Sequence, residues 1–312
     1  MNIKRRHFAI VATILFIGFI GGSFFDLTIS KALFHKNDFT GLVFASFGTY
    51  PCYMGLAFIG GGLLSASIKR KDLPLWVKVI CYFLSALAYF ISIYICADDF
   101  PSVNGFNNPD LYPLSYALCI ITFTPVFVWG FFVCKKGNPQ YLWNALIVIA
   151  IVYVVGMLPV ALLLKLVIHR PRYRLVVRGG LLDFHNWWES ATNYKNFLSG
   201  SFVVDGQVIT KEEFKSFPSG HSGAGAILMV LLPSLVLFFN KLKGKETLLF
   251  YIGFVWALLC MFFRVRVGAH FLTDTCTSSL VILGLFFVLF EYTKARKLLQ
   301  GPENNAATTP LT

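Results

Sequence analysis

The sequence predicts an all-α fold: a polytopic membrane bundle of about eight transmembrane helices with one long loop outside the membrane. Apolar residues make up 56% of the chain and charged residues only 13%, far from the composition of an average soluble domain. Apolar runs of bilayer-crossing length recur along the whole chain. Basic residues cluster between these runs, which is how membrane topology is encoded. These observations predict a multi-pass integral protein of the cell membrane.

The predicted spans share a length of roughly 18 to 25 residues. They are residues 8–26, 50–68, 73–97, 113–134, 140–165, 219–240, 247–264 and 271–292. The first run follows a basic cluster and so begins as a signal peptide does. Because it lacks a clear small-residue cleavage site, we interpret it as a retained first helix or signal anchor. In the second run, Gly60-Gly61-Gly62 suits close helix packing.

Five basic clusters fall at every second boundary between the spans. They are Lys4-Arg5-Arg6, Lys69-Arg70-Lys71, Lys135-Lys136, Lys241 with Lys243 and Lys245, and Lys294 with Arg296 and Lys297. The positive-inside rule places these clusters and both termini on the cytoplasmic side. This pattern accounts for much of the net charge of +12, so we expect no nucleic-acid partner.

The longest connection, residues 166–217, is then extracytoplasmic. It contains Asn186-Trp187-Trp188, and tryptophan is common at the membrane interface. Residues 202–209 are predicted to form a short hairpin that turns on Asp205-Gly206. We expect one membrane domain over residues 1–300 and a disordered cytoplasmic tail over residues 301–312.

The cysteines predict neither a disulfide framework nor a zinc site. All of them lie in or at the edge of apolar segments, with no CxxC pair, at Cys52, Cys81, Cys96, Cys119, Cys134, Cys260 and Cys276. A disulfide framework or a zinc site would need regularly spaced pairs.

The stretch Phe217-Pro218-Ser219-Gly220-His221 precedes a long apolar run. Ser219 is a good N-cap, and His221 would then lie in the first turn of the following helix. A helix N-terminus offers unpaired N–H groups and partial positive charge, so it suits an anion. The alternative is a capped membrane helix with an incidental histidine.

Cations crowd the end of the fifth span. They are Lys165, Arg170, Arg172, Arg174 and Arg178. For Arg174 and Arg178 the favoured interpretation is a solvated basic face. Lys165 follows an apolar run and should lie near membrane depth, where it either functions or snorkels to the interface.

A third group surrounds the junction of the last two spans. It contains Arg264, Arg266, His270 and Asp274. The i, i+4 spacing of His270 and Asp274 would place both on one helix face. A carboxylate there can accept the imidazole N–H and leave the other ring nitrogen free as a nucleophile or base. The alternative is a structural hydrogen bond.

Topology places all three groups on the same side of the membrane. Together they supply cations, a helix N-terminus, two histidines and a carboxylate, which suits phosphoryl transfer. The ligand sets typical of zinc or magnesium are missing, so we expect no metal ion and no other cofactor.

These residues resemble the type 2 phosphatidic acid phosphatases, whose three-part signature is shared with vanadium haloperoxidases and glucose-6-phosphatase. The first part, Lys, six residues, then Arg-Pro, fits Lys165 and Arg172, with Tyr173 in place of Pro. The dipeptide Arg170-Pro171 lies nearby at the wrong spacing.

The second part of the signature is complete at Pro218 to His221. The third part, Ser-Arg, five residues, His, three residues, Asp, fits Arg264, His270 and Asp274. Phe263 replaces the Ser. The resemblance implies a six-helix phosphatase-type core, with three helices before the long loop. Because five spans precede the loop here, either two are extra or one helix has been divided into two predicted spans.

The resemblance also implies the role of each residue. His270 would attack phosphorus and form a phosphohistidine, oriented by Asp274, while His221 would be general acid and then general base. The groups that would hold the phosphate oxygens are Lys165, Arg172, Arg264, the Ser219 hydroxyl and the Gly220 N–H.

The function implied is a membrane phosphatase acting on a lipid phosphate or pyrophosphate, with the bilayer as its other partner. Candidate substrates are phosphatidic acid, phosphatidylglycerol phosphate and undecaprenyl pyrophosphate. Alternatives are a phosphotransferase with a lipid or sugar acceptor, a non-catalytic lipid-binding or transport protein, and vanadate-dependent oxidation. The sequence does not separate hydrolase from transferase, nor set an oligomeric state.

Overall fold

The computed structural model describes residues 3–101, 109–158, 168–178, 183–189, 203–204, 207–208 and 211–292. The helices in these ranges are α1 (Arg5–Leu33), α2 (Phe39–Phe47), α3 (Tyr50–Lys69), α4 (Leu75–Asp99), α5 (Tyr112–Lys136), α6 (Pro139–Leu158), α7 (Tyr173–Val177), α8 (Gly220–Ser234), α9 (Glu246–Arg266) and α10 (Leu272–Tyr292). The predicted polytopic helical bundle is confirmed.

Within the described ranges, seven helical stretches are long and apolar enough to cross a membrane. They are α1, α2 with α3, α4, α5, α8 with its extension to Leu237, α9 and α10. The predicted fifth span corresponds to α6, whose apolar part is shorter, at Leu142–Met157. The rest of that predicted span, residues 159–165, lies outside the described residues, as does the tail at 301–312.

The short helix α2 was not predicted. Its nine residues are too few to cross a bilayer, so this apolar run was not predicted as a span. The Asp38 side chain caps it by accepting a hydrogen bond of 2.7 Å from the Gly41 N–H. Together α2 and α3 form a candidate span of 31 residues, Phe39–Lys69, longer than the predicted 50–68.

The helix α8 lies at the centre of the bundle. In its most apolar stretch 72% of the residues are buried, against 22% in the corresponding stretches of α1 and α5. It packs on α9, α10, α3 and α6. At the α3–α5 contact a Cβ atom on Gly61 would lie only 1.9 Å from the Phe127 carbonyl oxygen. The predicted close packing at Gly60-Gly61-Gly62 is therefore confirmed.

Two ends of the bundle can be distinguished by their charged contacts. At one end, Arg5 forms an ion pair with Glu291 at 3.0 Å, and Lys69 Nζ donates to the Lys135 carbonyl at 2.6 Å. At the other end, α9 leads into α10 and the long connection returns to α8. The candidate site lies at this second end.

Parts of the long connection fold back onto the helices. The predicted hairpin is confirmed by two short antiparallel strands, β1 (Val203–Val204) and β2 (Gln207–Val208), although its turn lies outside the described residues. Trp187, expected at the membrane interface, donates to the Ser23 hydroxyl of α1 at 3.1 Å and stacks on Phe217 at 5.9 Å. The connection thus packs against the start of α8.

Candidate active site

The turn between α9 and α10 positions His270. Gly268 has a φ of +67°, a left-handed conformation that glycine adopts without strain. A Cβ atom there would also lie 2.7 Å from the Phe34 ring. The His270 N–H donates to the Arg264 carbonyl at 3.2 Å, and the His270 side chain is buried.

The backbone sets the tautomer of His270. Its Nδ1 lies 2.5 Å from the Ser216 carbonyl oxygen. Because a carbonyl can only accept, Nδ1 carries the proton and Nε2 keeps its lone pair. Burial holds the pKa of His270 well below its ordinary value; Asp274 opposes this effect, and the cations Arg264 and Arg172 add to it. The imidazole is therefore neutral at pH 7.

Asp274 reaches His270 indirectly. Its Oδ2 lies 3.8 Å from His270 Nδ1, too far for a hydrogen bond, so the predicted direct bond is wrong. His270 precedes the first residue of α10, and helical i, i+4 geometry therefore does not apply. Instead Asp274 accepts hydrogen bonds from the Ser216 hydroxyl at 2.5 Å and the Phe271 N–H at 2.8 Å. Ser216 thus binds the imidazole through its carbonyl and the carboxylate through its hydroxyl.

Arg170 forms ion pairs with Asp274 and with Asp26. Its Nη1 lies 2.6 Å from Asp274 Oδ1, and its Nη2 lies 2.9 Å from Asp26 Oδ2 in α1. The guanidinium is fully buried and lies 4.0 Å from the Phe271 ring centroid. A buried cation between two carboxylates is already paired. Arg170 therefore supports the site and is not free to bind phosphate.

Two other guanidinium groups are less completely paired. The Nε atoms of Arg172 and Arg264 are buried and have no hydrogen-bond partner among the described residues. Arg172 Nη1 forms a long ion pair with Glu213 Oε1, at 3.9 Å. Burial and the neighbouring Arg174 lower the pKa of Arg172 to about 10. Since incompletely paired buried cations are costly, both groups are suited to an anion beside His270.

The predicted solvated face is wrong for Arg174. Arg174 is 6% exposed and binds Glu213 through two hydrogen bonds, at 2.9 and 2.5 Å. Burial would raise the pKa of Glu213, but the bonds and charge of Arg174 hold it below its ordinary value. Arg178 is partly exposed. Lys165, the first cation of this group, lies outside the described residues.

The predicted cap at the start of α8 is confirmed. α8 begins at Gly220, and the Ser222 N–H donates to the Ser219 hydroxyl at 3.3 Å. The Ser219 N–H donates to the Asp274 carbonyl at 3.2 Å. The start of α8 is thus tied to the start of α10, which brings the second and third groups together.

His221 lies in the first turn of α8, as predicted. Its Nε2 is 3.1 Å from the Ala45 carbonyl of α2 and 3.3 Å from Asp99 Oδ1 at the end of α4. Since the carbonyl and the carboxylate both accept, Nε2 carries a proton and Nδ1 is the nitrogen that can exchange one.

The segment that carries the three groups also matches a known family. Residues 141–298, just over half of the chain, match the model of the PAP2 superfamily. The chain belongs to this superfamily. No curated protein and no solved structure shows significant similarity to the chain. PAP2 membership and the helical membrane architecture indicate a membrane phosphatase, because this superfamily generally comprises phosphatases or phosphoryl-transfer enzymes.

Aromatic residues occupy the two positions that depart from the PAP2 signature, and both pack against other rings. Tyr173 packs edge-on against Phe34 at 5.2 Å and Phe271 at 6.0 Å. Phe263 stacks on Phe44 of α2, with ring centroids 4.6 Å apart. Tyr173 thereby supports the residue after His270, and Phe263 fixes α2 beside α9.

Several residues at the site were not predicted. They are Asp26, Ala45, Asp99, Glu213 and Ser216. Asp26 could have been predicted from the sequence, because an ionisable residue inside a predicted span marks a functional site by default. The helices that supply Asp26, Ala45 and Asp99 all precede the PAP2 match.

Proposed function

We propose that the protein is a membrane phosphatase that hydrolyses a lipid phosphate or pyrophosphate through a phosphohistidine on His270. One observation carries this proposal: a buried imidazole whose Nδ1 faces a carbonyl, and whose Nε2 keeps its lone pair, lies near two guanidinium groups. The Nε atoms of these groups have no hydrogen-bond partner in the described part of the chain. A phosphoryl group would supply oxygens to the cations and phosphorus to the nucleophile.

In the first step, His270 Nε2 would form a bond to phosphorus as the bond from phosphorus to the leaving oxygen breaks. His221, protonated on both ring nitrogens before this step, would give its Nδ1 proton to that oxygen and become neutral. The phosphate oxygens would be held by Arg172, Arg264, Lys165, the Ser219 hydroxyl and the Gly220 N–H. The Ser219 hydroxyl also caps α8, so its contribution would be shared with that role.

In the second step, water would attack phosphorus as the phosphorus–nitrogen bond breaks. His221 Nδ1 would take a proton from the water, and His270 would return to its neutral form. The Asp274 carboxylate, with Ser216 between them, would stabilise the positive charge on His270 while it is phosphorylated. The cycle releases inorganic phosphate and restores both histidines.

A lipid substrate fits the position of the site at one end of the bundle. A lipid headgroup can approach such a site along the bilayer, and the candidates remain phosphatidic acid, phosphatidylglycerol phosphate and undecaprenyl pyrophosphate. The first four basic clusters, which belong to the described part of the chain, lie at the opposite end of the helices. This position supports an extracytoplasmic site and cytoplasmic termini under the positive-inside rule.

The test is phosphate release by the purified full-length protein from a panel of these lipids in EDTA. We expect release from at least one lipid, with no requirement for a divalent metal. His270→Ala should abolish release, while His7→Ala should retain it, because His7 lies at the other end of the bundle beside Tyr251. Undiminished release by His270→Ala would overturn the proposal. An acceptor-dependent product in place of free phosphate would assign a transferase instead.

A further inference from the structure

Asp99, the last residue of α4, faces His221. Its Oδ1 lies 3.3 Å from His221 Nε2, and its Oδ2 accepts a hydrogen bond of 2.7 Å from the Thr49 hydroxyl. The side chains are 13% exposed for Asp99 and 22% exposed for His221. The hydrogen bond from Thr49 holds the Asp99 carboxylate in place. Its contact with the imidazole is therefore part of the packed structure.

Helix stability does not explain a carboxylate at this position. Negative charge is unfavourable at a helix C-terminus, where the backbone carbonyls already carry partial negative charge. Among the described residues, the ion-pair partner of Asp99 is His221, and Arg264 also acts on it electrostatically. The position of Asp99 is therefore best explained by the imidazole.

We propose that Asp99 is the positioning residue for His221. Helices that precede the family-matched segment would then supply groups that orient the histidine responsible for proton transfer. This inference rests on the proposed function, because it assigns His221 the proton transfers described above. The matched segment begins at residue 141, whereas Asp99 and its partner Thr49 lie before it. The PAP2 match alone therefore does not contain all of the groups that set the orientation of His221.

The contacts define how Asp99 acts. The Ala45 carbonyl and Asp99 hold the Nε2–H of His221, which leaves Nδ1 to give a proton to the leaving oxygen and to take one from water. When Nδ1 takes that proton, the ring becomes positively charged and the nearby carboxylate stabilises it. Asp99 thus acts through the imidazole, as the carboxylate of a serine-protease triad does.

The experiment compares Asp99→Asn with Asp98→Asn in the purified full-length protein. Asp98 is the preceding residue and accepts a hydrogen bond of 2.9 Å from the Tyr112 hydroxyl, so it is a matched control. The probe is p-nitrophenyl phosphate, whose leaving group needs little protonation. Rapid mixing separates the burst of nitrophenolate, which reports phosphorylation of His270, from the steady-state rate, which requires His221 as a base.

We expect Asp99→Asn to retain the burst and to lose about 10- to 100-fold in steady-state rate, within the range of general-base effects. Asp98→Asn should behave as the wild type. Thr49→Val should give a smaller loss in the same direction, and Asp99→Glu should recover part of the rate.

Equal steady-state rates for Asp99→Asn and Asp98→Asn would overturn the positioning role. Loss of the burst together with the steady-state rate would also overturn it, because the carboxylate would then support the whole site. A wild type that releases no phosphate from any substrate would instead overturn the proposed function and, with it, this inference.

Discussion

His270 and His221 are held by the same kinds of group but in different surroundings. Each has one ring nitrogen facing a backbone carbonyl and a carboxylate. The His270 side chain is 2% exposed, whereas that of His221 is 22% exposed. A nucleophile that forms a covalent bond benefits from exclusion of water, while a group that exchanges protons with water must reach it.

The support behind each histidine also differs in extent. Behind His270, Asp274 is paired with Arg170, which is paired in turn with Asp26, and this chain is fully buried. Behind His221, Asp99 is supported chiefly by the Thr49 hydroxyl. A change near His270 should therefore disturb both stability and chemistry, whereas a change near His221 should affect mainly proton transfer.

The largest expected difference is between Asp274→Asn and Asp99→Asn. Asp274→Asn leaves the buried Arg170 with one carboxylate and weakens the Ser216 bond, so we expect a loss of about 10³- to 10⁴-fold in kcat, as for the carboxylate of a catalytic triad. Steady-state phosphate release from one lipid phosphate measures both variants. A smaller loss in Asp274→Asn than in Asp99→Asn would reverse the comparison.

Arg264→Ala should lower kcat/KM by about 100-fold or more, because it removes a buried cation that would stabilise the transferred phosphoryl group. The matched control is Arg266→Ala, two residues along the chain. Arg266 pairs with Asp38 at 2.9 Å and is 30% exposed, and exposed pairs contribute little. Initial rates at several substrate concentrations give both values, and equal losses in the two variants would contradict the assignment of Arg264.

Asp26→Asn should lower the free energy of unfolding by about 3 kcal/mol, the lower end of the cost of breaking a buried ion pair. The control is Ser30→Ala, one turn along α1. The Ser30 hydroxyl is buried without a hydrogen-bond partner in the described part of the chain, so its removal should be neutral or slightly stabilising. Thermal unfolding in detergent measures both variants. Similar transition temperatures would show that the ion pair of Asp26 does not stabilise the fold.

The pH profile tests the charge around His270. Burial and the cations Arg264 and Arg172 hold the pKa of His270 below its ordinary value, so the acid limb of kcat/KM should lie below about pH 6.5. Arg172→Ala removes one cation and should move that limb to higher pH. An unchanged limb, or one at lower pH, would contradict the proximity of Arg172.

The same pKa shift has a consequence for stability. The unfolded chain binds a proton at this histidine more readily than the folded chain, so the contribution of His270 to stability is lost as the pH falls below about 6.5. Above that pH the imidazole is neutral in both states, and its contribution does not change.

Hydropathy and motif spacing were sufficient to predict the bundle and the family, because membrane spans and the PAP2 signature are local in sequence. Spacing also favoured Arg172 over Arg170, which agrees with the buried pairing of Arg170. The partners of these residues were not predictable in this way. Arg170 meets Asp26 across 144 positions of the chain, and Arg174 meets Glu213 through a loop without a recognisable motif. Such contacts depend on how the helices pack.

The division of roles between the two histidines is tested most directly by trapping the phosphorylated protein. Wild type, His221→Ala and His270→Ala would be mixed with ³²P-labelled p-nitrophenyl phosphate and quenched in alkali, in which phosphohistidine survives. We expect label on the peptide that contains His270, more label in His221→Ala because water attack is slowed, and none in His270→Ala. Label that persists in His270→Ala, or that maps to the peptide containing His221, would contradict the assignment of His270 as the nucleophile.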